Sequence, residues 1–285
     1  MSSAQPAPPR TLRLGPVEVA PGSFAIMAVV NRTPDSFYDH GATYAFGAAL
    51  AAAGRAVAAG AAIIDIGGVK AGEGDEVTVA EEIDRVAGLV AVVHERYPGV
   101  AISVDTWRAE VGEAVADAGA HLLNDVWGGV DRQLARVAAA RGLGLVCSHA
   151  GGLVPRTVAR GPWYADVVAD VTGYVTREAN RAVAAGVDPD GILIDPAHDF
   201  GKDSYHSLEL TRRLGALVDT GWPVLVAVSN KDFIGETLAL PVTDRAEGTV
   251  ATLAVSAWHG ARVFRVHDVA AARRALDVVA EFGAG

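Results

Sequence analysis

The feature that most constrains this chain is an alternation repeated eight times: a short, unbroken apolar run, then a longer amphipathic segment. The apolar runs lie at 24–30, 61–66, 100–105, 121–124, 143–148, 191–195, 223–228 and 261–266. They do not alternate apolar with polar, which is how strands covered on both faces read. Helical patterns fall between and after them, near 46–59, 80–95, 109–119, 131–141, 162–186, 204–219, 243–259 and 268–282. Eight strands, each followed by a helix, make a single (β/α)8 barrel of the α/β class. The alternative, a doubly wound open sheet, carries GxGxxG after its first strand. Here the first run leads instead into Asn31-Arg32-Thr33. The barrel is expected over 21–285. Residues 1–20 are expected as a loose tail, because the start is small, polar and Pro-rich and lacks the pattern of a signal peptide.

Charge narrows the partners. Lys and Arg number 24 against 34 Asp and Glu, a net charge of −10. That balance argues against nucleic acid or an anionic membrane as a general partner, though a local basic pocket can still hold phosphate. No apolar run reaches the length of a membrane span. Cys147 is the single cysteine, so no intrachain disulfide and no cysteine-based metal cluster can form. A cytoplasmic protein is expected.

A barrel of this kind builds its active site at the C-terminal ends of the strands. The polar residues there are Asn31, Asp65, Asp105, Asn124, Ser148 with His149, Asp195, Ser229-Asn230-Lys231, and Arg265 with His267. Any one of them alone reads as a turn or a cap. One at every strand end describes a polar pocket in the mouth of an apolar barrel. Asp105, Asn124 and Asp195 offer acceptors and an amide, a set that suits a flat heterocycle with ring N–H, amino and carbonyl groups. Lys231, Arg265 and His267 are donors that suit an anion such as a phosphate ester, with Asn31 beside them. GxSxG and HExxH are both missing. The loops 67–76 and 150–162 belong on the catalytic rim. Of the remaining residues, Cys147 reads as a small buried hydrophobe. His149 reads equally as a rim ligand or a turn histidine. Trp107 and Trp127 either wall the pocket or pack beneath the loops. His198 with Asp199 is a candidate acid–base pair, and Lys202 and Arg212 read as solvated.

These residues resemble the dihydropteroate synthases over about 24–282. The opening motif of that family is Asn31-Arg32-Thr33-Pro34-Asp35-Ser36-Phe37 here. It is followed in order by Asp65-Ile66-Gly67-Gly68, Ser103-Val104-Asp105-Thr106 and Asn124-Asp125-Val126-Trp127-Gly128-Gly129. Asp195-Pro196 with Phe200-Gly201-Lys202, Ser229-Asn230-Lys231 with Phe233-Ile234-Gly235, and Arg265-Val266-His267-Asp268 complete the set. The resemblance implies a folate-biosynthesis transferase. It would join 6-hydroxymethyl-7,8-dihydropterin pyrophosphate to 4-aminobenzoate and release pyrophosphate, with magnesium as cofactor. By the same resemblance Lys231, Asp105 and Asp195 are the catalytic residues and hold the pterin ring with Asn124. Phe200 lines the aminobenzoate side, Arg265 and His267 bind the pyrophosphate, and Asn31 serves its magnesium. A homodimer is implied as well.

The departures from that family cluster on one side. Its Gly-Gly after the second strand is followed by Glu-Ser-Thr-Arg-Pro-Gly; here Val69-Lys70-Ala71-Gly72-Glu73-Gly74 follows. Lys70 can supply a charge but not the forked geometry of arginine. Its Gly-Phe-Gly is Ala197-His198-Asp199, which brings a carboxylate toward the side where the resemblance puts a carboxylate substrate. Its Ser-Arg-Lys is Ser229-Asn230-Lys231, and Ser148 stands where an apolar residue is usual. Two readings follow: a dihydropteroate synthase with an altered loop, or a catalytically inactive or repurposed pterin-binding paralogue. A third, a barrel methyltransferase acting on methyl-folates, lacks support because such enzymes do not carry the Lys231 and Arg265-x-His267 elements.

Overall fold

A computed structural model describes residues 6–33, 41–72, 74–157 and 163–283. Eight parallel strands run β3 (Ala25–Asn31), β4 (Ile63–Gly67), β5 (Ala101–Asp105), β6 (Leu122–Asp125), β7 (Gly144–Ser148), β8 (Ile192–Asp195), β9 (Leu225–Val226) and β10 (Val263–Val266). From β3 to β8 each pairs with the next in sequence, and β10 pairs with both β9 and β3. A single bridge between Ile194 and Val224 closes the ring. The expected barrel is therefore the fold.

The outer layer is α1 (Phe46–Ala58), α2 (Val79–Arg96), α3 (Ala109–Asp117), α4 (Leu134–Arg141), α5 (Val167–Ala185), α6 (Ser204–Arg212), α7 (Gly215–Val218), α8 (Asp232–Leu238), α9 (Ala246–Trp258) and α10 (Val269–Gly283). Local signals start and stop several of them. Thr78 and Glu81 form a capping box at the head of α2, and Asp166 accepts from the amides of Val168 and Ala169 at α5. Gly142 and Gly186 adopt the left-handed conformation that ends α4 and α5. The helix expected over 204–219 is divided in two around Arg213 and Leu214. Short α8, which follows β9, was not among the expected helices.

Strand residues alternate between the helix-facing core and the barrel interior. The lower interior is apolar: Ala25, Met27, Ile63, Ala101, Leu122, Val146, Leu193, Leu225 and Val263. Leu12, Leu14 and Val19 join them from an antiparallel hairpin, β1 (Leu12–Leu14) and β2 (Val17–Val19). The expectation of a tail over 1–20 is corrected here, since residues 12–19 plug the bottom of the barrel. Residues 1–5 lie outside the described residues. The plug is short, which is why no strand pattern announced it; Leu-x-Leu and Val-x-Val carry its alternation. Its turn requires glycine: Gly15 has φ +52°, and a Cβ there would lie 2.1 Å from the His121 ring.

Candidate functional site

One step above that apolar layer, the inward positions turn polar. Asp65, Ser103, Asn124, Ser148, Asp195 and Arg265 stand two residues beyond Ile63, Ala101, Leu122, Val146, Leu193 and Val263 on the same strands. Asp65 is fully buried and sits at the centre of this layer. It accepts from Ser103 Oγ at 2.6 Å, Asn124 Nδ2 at 3.2 Å and Arg265 Nε at 2.6 Å. Arg265 also donates through Nη2 to Asp105 at 2.9 Å. Asp65 is thus a positioning residue that aims Asn124 and Arg265. In the sequence Asp65 is one strand-end residue among several, with no role of its own. The available signal was its place inside β4, two residues short of the rim.

Above this layer opens a cavity. Asn31, Asp105, Asn124, Asp195, Phe200, Lys231, Arg265 and His267 all line it, so the structure brings every candidate site residue to one mouth. Burial pushes the Asp105 carboxyl up to about 7, partly offset by the Arg265 charge and reinforced by Asp65. Burial raises Asp195 as well, while Lys231 opposes that shift. Asp195 Oδ1 accepts from the Ala197 amide at 2.7 Å. Burial lowers Lys231, whose Nζ donates to the His198 carbonyl and lies 4.9 Å from the centre of the Phe200 ring. His267 Nδ1 is 3.0 Å from Ser229 Oγ. At the edge, the buried Thr33 hydroxyl also lines the cavity and has no hydrogen-bond partner among the described residues. Arg32 is a structural residue, donating to the carbonyls of Tyr44 and Arg85. Pro34, Asp35, Ser36 and Phe37 of the opening motif lie outside the described residues, as does Glu73.

A second lobe shares Lys70, Ala71, Phe200 and Lys231 with the first. Trp127, Leu153, Asp199, Asp232 and Val242 extend it. Trp127 meets Phe200 edge-on, ring centres 5.5 Å apart, so it does wall this space. Trp107 packs behind it at 6.3 Å. One face of the lobe is the segment 197–201, where Ala197 (φ +51°), Asp199 (φ +67°) and Gly201 (φ +62°) are left-handed. Ala197 and Asp199 take the places of the two glycines in the resemblance motif, and the backbone keeps the conformation that suits glycine.

Lys202 ties this segment down. It is buried and donates to the carbonyls of His149 (2.7 Å), Ala197 (3.1 Å) and Phe200 (2.7 Å), so the solvated reading is corrected. Burial lowers its amine to about 7. The proposed His198–Asp199 pair does not form, because the two side chains point to different partners. His198 Nε2 lies 3.1 Å from Thr211 Oγ1, and its ring stacks on Phe233. Asp199 Oδ2 accepts from the amides of Asp232 (2.7 Å) and Phe233 (3.4 Å), and its Oδ1 accepts from Ser207 Oγ at 3.1 Å. His149 is buried between Tyr164 and Tyr174, and burial pushes it down to about 3, so it is neutral. Cys147 is buried, as expected.

With this geometry in place, known proteins can be set beside it. A family model described as pterin binding enzyme matches residues 27–267. The inactive dihydropteroate synthase 2 of Mycobacterium leprae is 56% identical over 259 residues, covering 90% of this chain and 89% of that protein. The dihydropteroate synthase of Escherichia coli is 36% identical over 255 residues, covering 89% of this chain and 90% of that protein. Among solved structures, the Yersinia pestis dihydropteroate synthase with a sulfonamide drug complex is similar at a TM-score of 0.90 and 34% identity. That match covers 96% of this chain and 98% of that one.

Proposed function

The chain belongs to the pterin-binding enzyme family as a divergent paralogue of the dihydropteroate synthases, and from that premise we infer that it holds a dihydropterin without making dihydropteroate from 4-aminobenzoate. The observation that carries this reading is the contrast within one mouth. Asp105, Asn124, Asp195 and Lys231 converge on one cavity, while the neighbouring loop offers Val69-Lys70-Ala71-Gly72 where the family has two hydroxyls and an arginine.

In this reading Asp105 and Asp195 accept from the amino and ring N–H donors of the pterin. Asn124, aimed by Asp65, supplies one donor and one acceptor. Lys231 donates to the ring's acceptor atoms, and Phe200 covers the space between the two lobes. Arg265 and His267 meet the pyrophosphate at the pocket edge with the Thr33 hydroxyl. Arg265 is held by Asp65 and Asp105, so its fork is oriented before ligand arrives.

Magnesium fits this edge only as a shared guest. Among the described residues no group of three or more His, Cys, Asp or Glu is arranged to hold a metal. Magnesium is commonly held by one or two protein oxygens together with substrate phosphates and water. The Asn31 side chain lines the cavity, and its carbonyl oxygen suits that role. The ion would neutralise charge on the pyrophosphate.

The homodimer reading is supported by exposed apolar side chains on two adjacent helices, Val255 and Trp258 of α9 and Val278 and Phe282 of α10. Among the described residues no helix is long and apolar enough to cross a membrane. A cytoplasmic site of action agrees with the single cysteine of the sequence, Cys147, a buried free thiol.

A working synthase is the second reading, supported by Lys70, which lines both lobes and can replace one lost positive charge. Pyrophosphate release from the dihydropterin pyrophosphate with magnesium separates the two. The inferred function predicts no release that depends on 4-aminobenzoate. Aminobenzoate-dependent release that disappears in Lys231→Ala would establish the synthase.

A further inference from the structure

We propose that Asp199 sets what the second lobe accepts: its carboxylate fills the amide donors at the start of α8, so the lobe takes an uncharged aromatic ring and turns away a benzoate. This rests on the pterin reading above for its setting, and it turns on Asp199, which that reading does not use.

The first amides of a helix have no partner within it. In α8 the amides of Ile234 and Gly235 reach the Lys231 carbonyl, leaving those of Asp232 and Phe233. Both go to Asp199 Oδ2. The Ser207 hydroxyl holds the other oxygen, so the carboxylate is fixed from two sides. An incoming anion would find these donors already taken and a negative charge in its way. The cations lining the lobe among the described residues are Lys70 and Lys231. Lys231 is directed to the His198 carbonyl and offsets Asp199 and Asp195. What remains is an aromatic and apolar wall of Trp127 and Phe200, packed edge to face, with Leu153 and Val242 along it. Such a wall recognises a flat ring by aromatic contact rather than by charge.

The test compares two ligands that differ only at the polar end, 4-aminobenzoate and 4-aminobenzamide. Each is titrated into wild type, Asp199→Asn and Asp199→Gly, with and without dihydropterin pyrophosphate. Glycine is native to a φ of +67°, so Asp199→Gly is expected to keep its backbone, and a thermal melt checks that it is folded. Wild type should favour the benzamide by roughly tenfold, about one charge-assisted hydrogen bond. Asp199→Gly should bind the benzoate roughly tenfold more tightly than wild type does, with Asp199→Asn between them. Equal affinities in wild type, an unchanged ratio in Asp199→Gly, or no binding of either compound to any form would overturn the proposal. The titrations without pterin keep the ratio readable if the pterin reading fails, and a separate titration of the pterin into wild type judges that reading.

Discussion

The floor of the mouth and its second-lobe wall are built differently. Floor groups such as Asp65, Ser103, Asp105, Asn124 and Asp195 belong to strands, so the register of the barrel places them. The wall is made of loops, and its shape depends on a few buried polar ties: Lys202 to three carbonyls, and Asp199 to α8. A strand-borne site resists change because every member packs against neighbouring strands. A loop-borne wall can be rebuilt by a handful of substitutions while the floor stays intact. That difference explains how one mouth can combine a family-like floor with an altered wall.

The comparison breaks most strongly at Asp65. Asp65→Ala leaves Arg265 with one carboxylate and Asn124 and Ser103 without their acceptor. It should cost about 3–5 kcal/mol of stability in chemical denaturation and abolish pterin binding. Lys202→Met is the matching break on the wall. Three carbonyls lose a buried donor, for a loss of about 2–3 kcal/mol. Ligands of the second lobe should weaken more than the pterin does, measured by titrating each.

A smaller effect separates the two regions by pH. Burial raises the folded-state pKa of Asp105 to about 7, so the folded protein favours its protonated form below that pH. Its contribution to stability is present below the ordinary carboxylate range and is lost as pH rises through about 7. Asp105→Asn should therefore gain on wild type between pH 5 and pH 8 in denaturation midpoint. If the ionised form receives the pterin, wild-type affinity should be roughly fivefold weaker at pH 6 than at pH 7, and the variant's affinity should be flat. The smallest effect is expected at Ala197. Relief of its left-handed backbone in Ala197→Gly should stabilise the protein by up to about 1 kcal/mol, read as a small rise in melting temperature.

The barrel was legible because its strands are buried on both faces and their apolar runs end where a polar residue faces the mouth. Seven of the eight candidate residues could be read from those ends without contacts, and Phe200 followed only from the family resemblance. The plug was not, since Leu12–Leu14 and Val17–Val19 are too short for periodicity to register. Asp65 was underrated because a strand-interior acid gains its meaning only when Arg265, 200 positions away in sequence, arrives beside it. Lys202 was misread because nothing local announces a buried amine; its three acceptors come from the β7–α5 and β8–α6 loops. His198 and Asp199 are adjacent in sequence, but the left-handed turn at Asp199 separates their side chains.

The central claim is a pterin floor retained beside a rebuilt wall. The most direct measurement is one calorimetric experiment on wild type: dihydropterin pyrophosphate with magnesium first, then 4-aminobenzoate into the same cell. The account predicts saturable heat from the pterin, absent in Lys231→Ala, and no turnover heat from the aminobenzoate. No pterin binding by folded protein, or sustained turnover heat on adding aminobenzoate, would contradict it.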